Sequence, residues 1–536
     1  MATPFVLPFA HKSKYYLYDY NTNAILEVDK ALFALIKHFD VLGETPEIVP
    51  APTLCSAARE AALTSEEVER TITTVKTAHA KQGLFSGRRP AAMRFPFSAD
   101  EMRIILSHAI CRLILGVTEN CNLRCAYCKY SGEYLYSRSH RPKAMSLRTA
   151  ISAVQFMIER SSYIINHTSE PISVTFYGGE PLLNFPVIRG CVEYVRDDYP
   201  EYLARTRFAI TSNITVCTAE MLDFLIANRF ELTVSLDGPK DLHDRYRRSI
   251  RGDGTFDRVM DNLEELKRRD KEYYRTHVSI SVVLMPPYNI EAVVEFLDTH
   301  DLLREHTCFI NFADFKHTTV YDRFDATELR ATRMRQLERL GAQLQSRIGD
   351  GDEHPGSALA ALTGVGLRAV VRRPVAQMPT VLYPNGICVP GAQRTFVDPD
   401  GRLHMCERIG EDFAIGDLER GYDVDAILQF IKSYVQVSER SCLHCWAARF
   451  CPACFTAATK GPVMDGVAKE VGCESVKVAA LNALKQYCEL MPEHQEALCH
   501  VFPKPEVTPT IEVARRCLRH YKSMQTANSV ARSDSA

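Results

Sequence analysis

Glu119–Gly132 reads ENCNLRCAYCKYSG and sets Cys121, Cys125 and Cys128 in the spacing C-x3-C-x2-C. Three thiols within eight residues, with no fourth close by, form an unusual group. Thiolates are ligands for soft metals. A structural zinc site wants four protein ligands, so a zinc reading requires one supplied from far away in the chain. Three plain buried thiols are the other bland reading.

The surroundings of this loop define the architecture. Upstream, RIILSHAICRLILGVT (103–118) reads as a strand, and SLRTAISAVQFMIER (146–160) reads as a helix. ISVTFYGG, RFAITSN, ELTVSLDG, HVSISVVLMPP and CFINFADF are further strands, and helical patterns follow the first four. About six β/α units predict an α/β fold with a parallel sheet covered by helices. Such sheets carry their chemistry at the C-terminal ends of the strands, where the cysteine loop sits.

Residues 1–95 read as a separate small α+β module. KYYLYDYNTNAILEVD gives two strands around an Asn-Thr-Asn turn, and ALFALIKHF and SEEVERTITTVKTAHAKQGL give helices. Residues 325–348 form a charged amphipathic helix, and GDGDEHPGSA is a break. Residues 376–480 are rich in cysteine and loops, and the polar tail KSMQTANSVARSDSA is expected to be disordered.

The bulk numbers exclude several classes. The 536 residues carry 64 basic and 66 acidic side chains, a net charge of −2, which gives no basis for nucleic acid or an anionic membrane as partner. No apolar run reaches the roughly 18 residues of a membrane span. The first residues lack a signal-peptide pattern, so a cytoplasmic location is the expectation. In that setting, 18 cysteines point to metal or catalysis more than to disulfides.

A [4Fe–4S] cluster fits three cysteines well: each thiolate holds one iron and the fourth iron stays open for a ligand. With Tyr127 before the last cysteine, the loop resembles that of the radical S-adenosylmethionine (radical SAM) superfamily, over roughly residues 104–315. The resemblance implies a partial (β/α)6 TIM-type barrel. It also implies that Cys121, Cys125 and Cys128 hold a cluster whose open iron binds SAM, the source of a 5′-deoxyadenosyl radical. TFYGGEPLL places Gly178, Gly179 and Glu180 where the family binds SAM's methionyl amine. Glycines let backbone come close to a ligand, and a carboxylate accepts from an ammonium. Ser212 and Asn213 end the third strand and Ser235 the fourth, positions that resemble SAM ribose and carboxylate contacts. Asp237, in SLDGP, and the following HDRYR resemble the stretch that faces substrate.

A second cysteine set lies at Cys388, Cys406, Cys442, Cys445, Cys451, Cys454 and Cys473. Zinc ribbons need a longer gap between C-x2-C pairs than the five residues found here. The set resembles the SPASM extension of peptide- and protein-modifying radical SAM enzymes, with two residues between Cys451 and Cys454 where three are usual. The resemblance implies one auxiliary [4Fe–4S] cluster on Cys442, Cys445, Cys451 and Cys473, and another on Cys388, Cys406 and Cys454. No cysteine stands between Cys308 and Cys388 to complete the latter, so an open iron, a non-cysteine ligand or a remote cysteine remains. Cys488, Cys499 and Cys517 are the remote candidates. Cys55, Cys111, Cys191, Cys217 and Cys308 read as structural thiols.

These resemblances imply a maturase of ribosomally made peptides that abstracts hydrogen and installs a thioether or related crosslink. The N-terminal module is then a winged-helix-like leader-recognition element, binding the precursor peptide by strand addition. A flavodoxin or ferredoxin is the implied electron donor. The alternatives are an anaerobic sulfatase-maturating enzyme forming formylglycine, a carbon–carbon or carbon–oxygen cyclase, and a non-enzymatic iron–sulfur carrier. In the sulfatase reading, an acid after the second SPASM cysteine acts as base, and Glu407 stands there. The expected division is 1–95 recognition module, 96–320 radical SAM core, 321–375 helical linker, 376–480 SPASM domain and 481–536 helical segment with tail.

Overall fold

The computed structural model describes residues 3–42, 47–316, 318–352, 354, 356–384, 386–491, 493–502 and 510–533. The chain opens with an antiparallel sheet of β1 (Val6–His11), β2 (Lys14–Asp19) and β3 (Ala24–Val28). β1 adds a third strand to the two that the sequence predicts. The Asn21–Asn23 turn is fixed by Asp19, whose Oδ1 accepts from Thr22 N at 2.8 Å and from Thr22 Oγ1 at 2.9 Å. A helix Lys30–Leu35, a hairpin of β4 (Phe39–Leu42) and β5 (Glu47–Pro50), and helices Leu54–Glu60 and Ser65–Gln82 complete the module. The last helix starts on a Thr64–Glu67 capping box and stops at Gly83, at φ +67°.

The sheet of this module has two faces because strand side chains alternate. Val6 and Leu17 turn to the module's own helices. Phe5, Phe9, Tyr16, Tyr18 and Tyr20 turn to Val370, Met378, Ala447, Phe450, Ala480 and Leu484. Tyr18 lies 5.2 Å from the Phe450 ring and 6.4 Å from Trp446. The module is therefore seated on the cysteine-rich C-terminal part of the chain.

After the two-residue β6 (Ala92–Met93), the expected first strand proves to be a helix and a strand. Ala99–His108 is helical, because Ser98 and Glu101 form a capping box and Met102, Ile105 and Leu106 bury one face. The strand starts only at Arg112. The core strands are β7 (Arg112–Thr118), β8 (Ile172–Gly178), β9 (Thr206–Ser212), β10 (Glu231–Ser235), β11 (Val278–Leu284) and β12 (Thr307–Phe312). They pair in parallel, each beside its neighbour in sequence, with β7 next to β8 and β12 at the far edge. Five helices over Leu147–Glu159, Phe185–Asp198, Ala219–Ala227, Phe256–Arg269 and Ile290–Thr299 make the crossovers between these strands.

The β7 edge is not left bare. β13 (Val381–Leu382) pairs with β6, and β14 (Thr395–Val397) adds in parallel to β7. β15 (Arg402–His404), β16 (Ala414–Asp417) and β17 (Gly421–Tyr422) continue the sheet antiparallel. The sheet thus has ten strands, and part of the cysteine-rich segment is continuous with the core. The long helix Ala326–Gly349 buries Leu340, Leu344 and Ile348. The C-terminal helix runs Thr510–Ser533, anchored in the core by Ala514 and Leu518, and so replaces most of the disordered tail that composition predicts. Residues 534–536 of that tail lie outside the described residues. Among the described residues, no helix is long and apolar enough to cross a membrane.

Candidate active site

The C-x3-C-x2-C loop leaves β7 and folds back on itself. Cys121 and Cys125 are buried, and Cys128 is partly so. The loop is pinned from outside by Arg124 N donating to Arg248 O at 2.8 Å and Ala126 N donating to Tyr246 O at 3.1 Å. Leu123 N donates to Cys121 Sγ at 3.3 Å, and Tyr130 N to Cys128 Sγ at 3.4 Å. Burial pushes the Cys121 thiol up to about 12 and Cys125 up to about 11, and for Cys121 the other two sulfurs add to the effect. Three thiols in electrostatic reach of one another, two of them already met by amide N–H groups, suit an iron–sulfur cluster. Bound iron would keep them as thiolates, and N–H···S bonds are among the tuning devices of such clusters. A cavity of about 320 Å³ opens beside Cys125, lined by Arg124, His140, Glu133 and Arg323.

The Gly-Gly-Glu turn after β8 closes on this loop. A Cβ on Gly178, at φ +135°, would stand 2.1 Å from Thr118 O, and one on Gly179 would stand 2.2 Å from Asn120 O. Gly179 N donates to Thr118 O at 2.8 Å and Glu180 N to Asn120 O at 2.9 Å. Sequence reasoning has these glycines make room for a ligand; what approaches them is the backbone of the cysteine loop.

Glu180 is fully buried. Its Oε1 accepts from Ser212 Oγ at 2.7 Å and Leu182 N at 3.1 Å, and its Oε2 accepts from Asn213 N at 2.8 Å. Burial raises its pKa while these donors oppose the rise. Asn213 Nδ2 donates to Asn122 Oδ1 at 3.1 Å and lies 4.0 Å from Cys121 Sγ. Glu180, Ser212 and Asn213 thus form one network beneath the cysteine loop. Ser235 stands apart at the end of β10, paired in register with Ser281.

Asp237, expected from the sequence to contact substrate, is held within the chain by Tyr127, Val283 and Arg247. It is buried, and its Oδ2 takes the Tyr127 hydroxyl in a short hydrogen bond. Its Oδ1 accepts from Val283 N at 2.9 Å. Arg247 Nη1 donates to Tyr127 Oη at 2.6 Å and lies 3.8 Å from Asp237 Oδ2. A buried carboxylate needs such compensation, so this one is spent on holding Tyr127 and Arg247 against the cysteine loop. Arg247 lies in HDRYR, but sequence reasoning does not single it out. Its guanidinium lowers the pKa of Cys125 against the effect of burial.

The second cysteine set falls into two neighbourhoods. Burial raises the Cys388 thiol, with Cys454 and Glu407 adding, and it pushes Cys406 up to about 12, with Glu407 adding. Arg394 sits among these three cysteines and donates from Nη1 to Glu407 Oε1 at 2.9 Å. Glu407 Oε2 is buried and, among the described residues, lacks a partner. Cys445 and Cys451 are raised by burial, with Cys442 and Cys451 adding to the first and Cys442 and Cys473 to the second. Among the described residues, no group of His, Cys, Asp or Glu is set for a single metal ion.

The remote cysteines do not join these neighbourhoods. Cys488 packs with the N-terminal sheet, Cys517 is buried in the main core near Tyr163, and Cys499 is exposed. Cys111, which reads from sequence as structural, is the one that Cys388 influences. Its position just before β7 is legible in the sequence; the return of the chain at β14 that brings Cys388 close is not.

Residues 115–300 match the Radical SAM superfamily. The cysteine-type anaerobic sulfatase-maturating enzyme of Clostridium novyi (strain NT) is 29% identical over 30% of this chain and 41% of its own length. The radical SAM cyclopropyl synthase TigE of Paramaledivibacter caminithermalis is 25% identical over 31% of this chain and 35% of its own. The chain therefore spans less than half the length of these curated relatives. Native anSMEcpe with bound AdoMet shares the fold at a TM-score of 0.51 and 18% identity, over 70% of this chain and 98% of that one.

Proposed function

We propose that this chain, which carries a radical SAM domain over residues 115–300, modifies a ribosomally made peptide by installing a thioether or related crosslink. The observation that carries this reading is the seating of the N-terminal sheet on the segment around Cys445, Ala447 and Phe450, within the second cysteine set. A module that binds a leader peptide along a strand edge would then deliver the rest of the peptide to a fixed point beside the clusters. Cys121, Cys125 and Cys128 would hold the SAM-binding [4Fe–4S] cluster. Cys442, Cys445, Cys451 and Cys473 would hold one auxiliary cluster, and Cys388, Cys406 and Cys454 the other. The bound cluster and SAM supply the 5′-deoxyadenosyl radical that removes a substrate hydrogen.

The chain's own residues bind and position. Tyr127, a buried residue of the loop itself held by Asp237 and Arg247, is a further proposed cofactor-binding residue. Glu180, Ser212, Asn213 and Ser235 are the proposed SAM-binding groups, with Gly178 and Gly179 fixing where Glu180 stands. A flavodoxin- or ferredoxin-type protein is the proposed electron donor.

A second reading, formylglycine formation on a sulfatase, is favoured by the sulfatase-maturating relatives and by the position of Glu407 directly after Cys406, with its Oε2 not engaged by Arg394. The discriminating experiment is anaerobic incubation of reconstituted enzyme, SAM and reductant with a cysteine-containing precursor peptide and, separately, with a sulfatase-motif peptide. Loss of about two mass units per event, with thiols blocked to alkylation, supports crosslinking. An aldehyde on the sulfatase peptide supports the second reading.

A further inference from the structure

We infer that Lys469 sets the reduction potential of the auxiliary cluster on Cys442, Cys445, Cys451 and Cys473. The inference rests on the reading that these four thiols hold a cluster. Lys469 lies in the short helix Gly466–Glu470, whose start is fixed by Asp465 accepting from Val467 N at 2.9 Å and Ala468 N at 3.1 Å. Its residue is only 5% exposed, which is rare for lysine. Its Nζ donates to Cys442 Sγ at 3.1 Å and stands 5.8 Å from the Tyr434 ring centroid. The same ammonium influences Cys451.

A buried ammonium needs negative charge nearby, and a neutral thiol supplies little. Four thiolates on an iron–sulfur cluster supply it. One-electron reduction adds a further negative charge to the cluster beside a fixed cation, in surroundings of low dielectric. The cation and its N–H···S bond therefore favour the reduced form and move the potential upward. Lys477 also lies near Cys445 and Cys473, but its Nζ donates to Glu474 Oε1 at 2.7 Å, and that carboxylate offsets its charge.

The test is an anaerobic redox titration of the reconstituted full chain, followed by electron paramagnetic resonance, in wild type, K469M, K469Q and K469R. C442A identifies which signal belongs to this cluster. The expected result is a shift of that signal to lower potential in K469M and K469Q, with iron content and the SAM-cluster potential unchanged, and recovery toward wild type in K469R. Equal potentials in all four proteins at equal iron content overturn the inference. So does a shift in K469R as large as in K469M, because charge is then not the cause. Should K469M lose the cluster, K469Q and K469R carry the comparison. A wild-type protein with about four irons instead of about twelve overturns the cluster reading itself, a result distinct from a failure of Lys469.

Discussion

Glu180 Oε2 accepts the backbone N–H of Asn213 at 2.8 Å, which ties the turn after β8 to the end of β9 directly beneath the cysteine loop. The same carboxylate satisfies Ser212 and Leu182. E180A would leave three buried donors without an acceptor, each costing about 1–3 kcal/mol. The expected outcome is a loss of about 3 kcal/mol or more in denaturant unfolding, together with loss of SAM binding in E180A. E180Q keeps one acceptor oxygen and should fall between the two. An unfolding curve for E180A that matches wild type would contradict this role.

The pH dependence of Glu180 has a definite sign. Burial raises its pKa in the fold above the ordinary value of 4.5. The folded state therefore binds the proton more tightly than the unfolded state does. The stability this provides is present below pH 4.5 and is lost as pH rises through the raised folded value. Wild type should gain on E180Q as pH falls through that window in paired unfolding measurements. A gap that moves the other way would show that the hydrogen bonds outweigh burial.

Gly179 has no room for a methyl group, since its Cβ would press on Asn120 O, a backbone atom that cannot swing aside. G179A should keep the fold, because the strand packing of β8 is untouched, but displace the cysteine loop. Circular dichroism should read as wild type while the reconstituted protein loses about four irons. Full iron content in G179A would mean that the loop tolerates the shift.

The N-terminal module should be inseparable in stability from the second cysteine set. Phe450 lies between Cys445 and Cys451 in sequence, and its ring meets Tyr18. F450A removes a large buried side chain and should cost about 3 kcal/mol. It should also lower auxiliary iron without touching the SAM cluster. If limited proteolysis shows the module released while auxiliary iron is retained, the two are independent.

Much of this layout is legible in the chain. Strand and helix periodicity is local, and so is cysteine spacing, which is why the β/α alternation and both cysteine groups stand out in the amino-acid sequence itself. The differences lie where a distant partner decides or a cap overrides the apolar pattern. Arg103–Leu106 has an apolar run that suits a strand, and the capping box at Ser98 and Glu101 makes it a helix. Asp237 follows a strand end as catalytic carboxylates do, and Tyr127, 110 residues away in sequence, donates its hydroxyl to Asp237 Oδ2. Tyr16, Tyr18 and Tyr20 alternate along the chain and share one buried cluster, but nothing nearby in the sequence says that Phe450 covers them. Lys469 carries no motif at all; only the fold brings it to Cys442.

The most direct test of the account is SAM cleavage. Anaerobically reconstituted wild type, with SAM and a one-electron reductant, should form 5′-deoxyadenosine and carry about twelve irons, as three clusters. Replacing Cys121, Cys125 and Cys128 together with Ala should abolish that product and leave about eight irons on the second cysteine set. Continued 5′-deoxyadenosine formation by the triple variant, or a wild type that binds zinc in place of iron, would contradict the assignment.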